Sequence, residues 1–231
     1  MIEPIRFREG AAEATRRILE PYARGVEIEV LFLEEGLDSV EYLSDDTYTA
    51  PLVARKVVEA WRKGFDGAVI NCFDDPGLEA ARELVPIPVV GACQASLAMA
   101  SLLGDCIGIV TVGGIESVKA VRRRVELYGF DRKVLEIRTL GVGVLDIERE
   151  RHTLIERIES VAREMKERGV EVLILGCTGL SILYHELRNR CVLPVIDPTI
   201  AGFLMLRTLI EYGARNPIYV PNLANHPLSR T

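Results

Sequence analysis

Gly64-Phe65-Asp66-Gly67-Ala68-Val69-Ile70-Asn71-Cys72 and Gly169-Val170-Glu171-Val172-Leu173-Ile174-Leu175-Gly176-Cys177 are the two stretches whose reading decides the fold. Each runs from a glycine through a short aliphatic segment to a cysteine. The first is followed by a helix-like stretch, by Ile87-Pro88-Val89-Val90-Gly91, and by a second helical stretch ending at Gly104. The second is followed by the same succession, through Leu193-Pro194-Val195-Ile196-Asp197 to Gly213. The cysteines stand 105 residues apart (177 − 72), and the prolines follow them by 16 (88 − 72) and 17 (194 − 177) residues. Such a match predicts two related half-structures facing each other across a pseudo-two-fold axis. Each half then places one cysteine at the carboxyl end of a strand, where open α/β sheets form their ligand crevices.

Outward from these segments, short aliphatic runs alternate with longer amphipathic ones, the pattern of a parallel sheet flanked by helices. Strands are predicted at residues 27–33, 67–71, 88–90, 106–112, 134–140, 170–176 and 194–196. Most lack polar alternation, as strands covered on both faces do. Helices are predicted at 11–19, 48–63, 76–84, 96–103, 115–128, 153–168, 180–189 and 199–212. In the sixth, Leu154, Ile155, Ile158, Val161, Ala162 and Met165 recur at three- and four-residue steps between Glu and Arg. The predicted fold is α/β with two similar lobes, each a mostly parallel sheet flanked by helices, and a site in the cleft between them. Residues 1–95 with 199–231 are assigned to the first lobe and 96–198 to the second. Residues 1–10 give no convincing strand, although a sheet of this kind normally begins with one. Residues 216–231 carry three prolines and read as an irregular tail.

Composition narrows the function classes. The 231 residues include 28 Lys and Arg against 34 Asp and Glu, a net charge of −6, with the basic residues scattered. No electrostatic footprint for nucleic acid results. The longest apolar runs are too short to span a membrane, and no basic-then-apolar leader is read, so no membrane association or secretion is expected. Five cysteines, an odd number without a CxxC pair, fit neither a disulfide framework nor a zinc ribbon; they fit a reducing cytoplasm. His152, His185 and His226 have no ligand-like spacing with the cysteines, so no metal site is expected.

A thiol at a strand end beside a helix N-terminus meets partial positive charge and free amides, which lower its pKa. After Cys72 the chain reads Phe73-Asp74-Asp75-Pro76-Gly77, with Asp75 as a candidate N-cap and Pro76 at the first helical position. After Cys177 come Thr178-Gly179-Leu180-Ser181. Two cysteines on opposite walls of one cleft form an acid/base pair: one thiolate removes a proton from a substrate carbon and the opposing thiol returns one to the other face. Cys93, Cys106 and Cys191 are read as filler, since an isolated free cysteine is usually buried. Cys93 has no cysteine counterpart in the second half, where Thr199 stands.

Four stretches carry a family resemblance covering about residues 27–213. Asn71-Cys72-Phe73-Asp74-Asp75-Pro76-Gly77-Leu78-Glu79-Ala80-Ala81-Arg82 is the most specific. Gly176-Cys177-Thr178-Gly179, with Pro194-Val195-Ile196-Asp197-Pro198 after it, is the second. Gly36-Leu37-Asp38-Ser39-Val40-Glu41, with Ala50-Pro51 behind it, and the weaker Thr111-Val112-Gly113-Gly114 complete the set. Together they resemble the aspartate/glutamate/hydantoin racemase superfamily, most of all its hydantoin racemase branch.

The resemblance implies cofactor-independent racemisation, with Cys72 and Cys177 as the acid/base residues and a small molecule as substrate. It makes Phe73, Asp74, Thr111, Gly113, Gly114, Thr178, Gly179 and Ser39 the candidate substrate-binding residues. No lysine reads as a Schiff-base site, and these folds commonly form homo-oligomers. Amino-acid racemases of the group usually carry Asn-Thr after the first cysteine and often histidine two residues after the second; here Phe73-Asp74 and Gly179 stand there. An ionised Asp74 repels a free carboxylate but accepts N–H bonds from a neutral ring. Amides at 73–74, at 178–179 and near Gly113 are candidates to stabilise enolate charge. The substrate expected is a 5-substituted hydantoin, allantoin being one with a polar substituent. An aspartate or other amino-acid racemase, and a non-catalytic small-molecule-binding protein, are the alternatives. The family's first strand ends in a Pro-containing loop that supplies a polar residue. Here only Ile2-Glu3-Pro4 corresponds, so the sequence either begins inside that strand or lacks it.

Overall fold

The predicted aliphatic runs form strands, and the pairings between them are all parallel. The computed structural model describes residues 1–221, 223 and 226–229. The first sheet contains β1 (Ile2–Arg6), β2 (Leu31–Leu33), β3 (Ala68–Ile70) and β4 (Val89–Gly91) in the order β2-β1-β3-β4. The second contains β5 (Ile107–Thr111), β6 (Val134–Thr139), β7 (Val172–Leu175) and β8 (Val195–Ile196) in the order β6-β5-β7-β8. The two orders are the same once the numbering is shifted by four, which is the doubling that the sequence repeat predicts.

The strand missing from the sequence reading is present. β1 is central in its sheet, pairing with β2 at Ile2, Glu3 and Arg6 and with β3 at Ile2. Its disguise is physical. Pro4 has no N–H for the ladder, and the register with β2 shifts between Glu3 and Arg6, so the strand is irregular where the proline stands. Glu3 hid it further, because a carboxylate is seldom found in a buried parallel strand.

Among the described residues, seven α-helices connect the strands, α1 (Ala11–Leu19), α2 (Leu43–Arg62), α3 (Leu78–Leu84), α4 (Ala92–Ser101), α5 (Ile115–Leu127), α6 (Arg151–Glu167) and α7 (Tyr184–Arg190), and α8 (Pro198–Glu211) follows the last strand. The apolar face of α6 buries Leu154, Ile155, Ile158, Ala162 and Met165. Helix α2 begins five residues before the predicted start. Asp45 in its first turn accepts from the amides of Glu41 and Tyr42 at 3.0 Å each, and the helix then passes through Pro51. The stretch predicted as one helix at 180–189 is a 3-10 segment, Thr178–Leu183, followed by α7.

Helices α4 and α8 pack against each other between the sheets. Helix α4 follows the first sheet but also lies on β7 and β8, while α8 follows the second and lies on β3 and β4. The core between them gathers Val69, Val90, Leu97, Ile109, Ile174 and Ala201. The described part of the C-terminal segment is irregular yet docked. Asn216 donates to the carbonyl of Val85, Tyr219 meets Trp61 edge-on, and Leu223 and Leu228 pack on the core of the first sheet. Residues 222, 224, 225, 230 and 231 of the predicted tail lie outside the described residues. No helix of the described residues is long and apolar enough to cross a membrane.

Candidate active site

The carboxyl ends of β3 and β7 deliver Cys72 and Cys177 to one cavity of about 670 Å³. That lies within the usual size range of small-molecule sites. The same cavity is lined by Phe73, Asp74, Thr111, Thr178, Gly179 and Ser39. Gly113 and Gly114 lie outside its lining. The Gly113 amide donates to the Val142 carbonyl at 2.7 Å and its carbonyl accepts from the Thr139 hydroxyl, so it offers no free N–H to a ligand. The amide expected near Gly113 is therefore removed from the set of enolate donors.

The walls are joined by hydrogen bonds between segments distant in the chain. Thr178 Oγ1 donates to the Asn71 carbonyl at 3.1 Å, and Thr199 Oγ1 donates to Asn71 Oδ1 at 2.9 Å. Arg124 of α5 meets both carboxyl oxygens of Asp46 of α2 at 2.9 Å. These links fix the separation of the two strand ends and leave little freedom to the residues beside each sulfur.

Both thiols are held above their ordinary pKa, contrary to the expectation from helix polarity. Cys72 is raised well above it by burial first and by the carboxyl of Asp74 second; the Asp74 amide bonds to its sulfur and acts in the opposite direction. Burial pushes Cys177 up to about 12, with the amides of Gly179 and Leu180 opposing and Asp74 and Glu41 reinforcing. The amides do favour thiolate as anticipated, but desolvation outweighs them. The helix after Cys72 also begins late, at Leu78, with Gly77 as its N-cap at φ 72°. Asp75 is not that cap, because its carboxyl reaches the start of α4 instead: Oδ1 accepts from the Cys93 amide and Oδ2 from the Gln94 amide, both at 3.0 Å.

Asp74 lines the cavity, and its carboxyl has no hydrogen-bond partner among the described residues. Burial, and then the Asp46 carboxylate, raise it to about 6 against the pull of Arg124. The cavity also contains polar residues that the sequence reading did not single out. Glu3 is 8% exposed, its Oε1 accepting from Thr15 Oγ1 at 3.0 Å and Asn71 Nδ2 at 2.8 Å, and burial raises its pKa. Glu41 accepts from Ser39 Oγ at 3.0 Å, so the Ser39 hydroxyl proton is already engaged. Asn71 and Thr199 line it as well, as do the charged residues Arg8, Glu9, Glu13, Arg17 and Glu148. Glu41 ends the quoted loop and Asn71 precedes the first cysteine, so both carried a positional signal. Glu3 carried none once its strand was missed.

Residues 9–206 match the model of the family described as Asp/Glu/Hydantoin racemase. The chain belongs to the Asp/Glu/hydantoin racemase family. It is an isomerase of the racemase type. Two similar members are hydantoin racemases. That of Pseudomonas sp. (strain NS671) is 35% identical over 182 residues, covering 78% of this chain and 72% of that protein. That of Rhizobium meliloti is 34% identical over 179 residues, covering 76% and 73%. Among solved structures, the allantoin racemase from Klebsiella pneumoniae superposes with a TM-score of 0.82 at 28% identity, covering 99% of this chain and 91% of that one. The two-lobed racemase fold is thus shared with that solved structure.

Proposed function

We propose that the protein racemises 5-substituted hydantoins without a cofactor, using Cys72 and Cys177 as an acid/base pair. The observation that carries this reading is that the two cysteines occupy equivalent strand ends of a doubled fold and line the same cavity. In one direction the Cys72 thiolate removes the C5 proton and becomes a thiol. The carbanion electrons delocalise into the adjacent ring carbonyl, and the Cys177 thiol delivers its own proton to the opposite face, becoming the thiolate. The reverse direction exchanges the roles.

A thiol held near pKa 12 is a weak acid, but its conjugate base is correspondingly strong, which suits proton abstraction from carbon. The ring supports this match, because its C5–H lies between a carbonyl and a nitrogen and is more acidic than the α-C–H of an amino acid. Asp74 accepts a ring N–H, and Phe73 gives the ring an apolar wall. The lining includes Arg8 and Arg17 as well as Glu3, Asp74 and Glu41, so it is Asp74, whose carboxyl acts directly on Cys72, that disfavours a free α-carboxylate at the reacting carbon and so argues against the amino-acid racemase alternative. Similarity to hydantoin and allantoin racemases supports the same substrate class.

The test is optical rotation or circular dichroism of an L-5-alkyl hydantoin, of allantoin and of L-aspartate with the wild-type protein. Decay of the hydantoin signals with a stable aspartate signal is expected. Rapid inversion of aspartate with inert hydantoins would overturn the reading. Tight hydantoin binding without inversion, unchanged by removal of both sulfurs, would make the protein a binder.

A further inference from the structure

Asp75 stands three residues beyond Cys72 and does not line the cavity, yet its surroundings are the most restrictive nearby. Among the described residues it is the one non-glycine with positive φ, at 46°, a region that L side chains rarely adopt. Its side chain is completely buried. The amides of Cys93 and Gln94 and the Tyr128 hydroxyl, the last at 2.9 Å, all donate to its carboxyl. No acceptor faces it in that set, so the pocket is shaped for a carboxylate. Space confirms the fit: a Cβ on Gly91 would lie 2.3 Å from the carboxyl carbon, so only glycine there leaves room. The Asp75 amide in turn donates to the Cys72 carbonyl at 3.1 Å, closing the turn that carries the sulfur.

We propose that Asp75 is the positioning residue of Cys72: its carboxyl fastens the 72–75 turn to the N-terminus of α4 and, through Tyr128, to the end of α5. The strained backbone is what brings the carboxyl to those three donors, and the donors hold the strain in place. Cys177 has a different support, namely the 3-10 turn after it and the Thr178 bond to Asn71. The Asp75 carboxyl thus fastens the Cys72 turn directly and bonds to no residue of the Cys177 turn among the described residues. The charged and titratable groups facing Asp75 are Cys72 on its own turn, Cys93 on α4, and Arg124 and Tyr128 on α5.

This inference rests on the acid/base reading above, and its test separates the two. Exchange of the C5 proton for deuterium is measured from each hydantoin enantiomer, with wild type, Cys72→Ser, Asp75→Asn and Tyr128→Phe. Cys72→Ser identifies the enantiomer whose proton Cys72 removes. Asp75→Asn places an amide N–H against a backbone N–H, and a displacement of about 1 Å in a reacting group costs on the order of 100-fold. A loss of that order is expected from the Cys72-dependent enantiomer, roughly tenfold for Tyr128→Phe, and less than about twofold from the other enantiomer. A merely structural role would slow both enantiomers together, and that result, or no change from either, overturns the clamp. If Asp75→Asn does not fold, Tyr128→Phe decides, since it removes one donor and leaves the carboxyl with two. Failure of wild type to exchange either enantiomer would overturn the acid/base reading and the clamp with it.

Discussion

The Cys72 and Cys177 turns occupy equivalent places in a doubled fold but are built by different means. The first is a buried, strained turn tied through Asp75 to distant helices, with the Asp74 carboxyl, unpartnered among the described residues, acting on the sulfur. The second passes into a 3-10 segment whose own amides, at Gly179 and Leu180, bond to the sulfur. Common topology thus fixes where the sulfurs sit, burial in the assembled cleft raises both, and the local turns supply the amides that oppose that rise. In the mechanism proposed above, the site has two inequivalent faces, and the two directions of the reaction differ in which thiol must ionise.

Substitutions that remove one sulfur break the comparison most severely. Cys72→Ser and Cys177→Ser are each expected to lower hydantoin racemisation by about 1,000-fold or more, because an alcohol is a far weaker acid than a thiol and general acid/base groups contribute 10²–10⁴-fold. Chiral chromatography of the product checks this. A pH profile sharpens the same contrast. Both thiols lie above their ordinary pKa, so the base form is the minor one at neutral pH. The logarithm of kcat/KM is expected to rise by about one for each pH unit between pH 6.5 and 9, without a plateau near 7. Next in size is Asp74→Asn. It removes the charge that raises both thiols, and steady-state kinetics should show KM for a neutral hydantoin rising roughly tenfold, the effect of one lost charge-assisted bond.

The smallest effect is on stability. Burial is the leading cause that raises Glu3, and that raises Asp74 and Asp197 to about 6 and Asp75 to about 7. A carboxyl with a folded pKa above its unfolded value binds its proton more tightly in the folded state. Stability therefore falls as pH rises from the unfolded value of about 4 through the folded one, and levels off above it. Thermal unfolding followed from pH 5 to 7.5 should show a steady fall in midpoint. Asp75→Asn should flatten part of that slope.

The doubled fold was legible because it depends on local patterning: aliphatic runs at matching intervals, the proline after each, and a cysteine at the same place in both halves. Three features depended on partners distant in the chain and could not be read locally. β1 is short, contains Pro4 and a buried Glu3, and is satisfied by Thr15 and Asn71, the latter 68 residues away. Helix α4 starts four residues before its predicted start because its cap is Asp75, 18 and 19 residues upstream of the amides that it binds. The raised thiols follow from burial in the assembled cleft, whereas sequence shows only the nearby helix starts. Of the three cysteines read as filler, Cys93 is wholly buried in α4, whereas Cys106, just before β5, and Cys191 are only partly buried.

The central claim is that the two sulfurs serve opposite faces of one substrate carbon. The most direct measurement is C5 deuterium uptake from separated enantiomers of a 5-alkyl hydantoin by Cys72→Ser, Cys177→Ser and the double variant. The account predicts that each single variant exchanges one enantiomer only, that the two variants select opposite enantiomers, and that the double variant exchanges neither. Uptake from the same enantiomer in both single variants, or surviving uptake in the double variant, would contradict it.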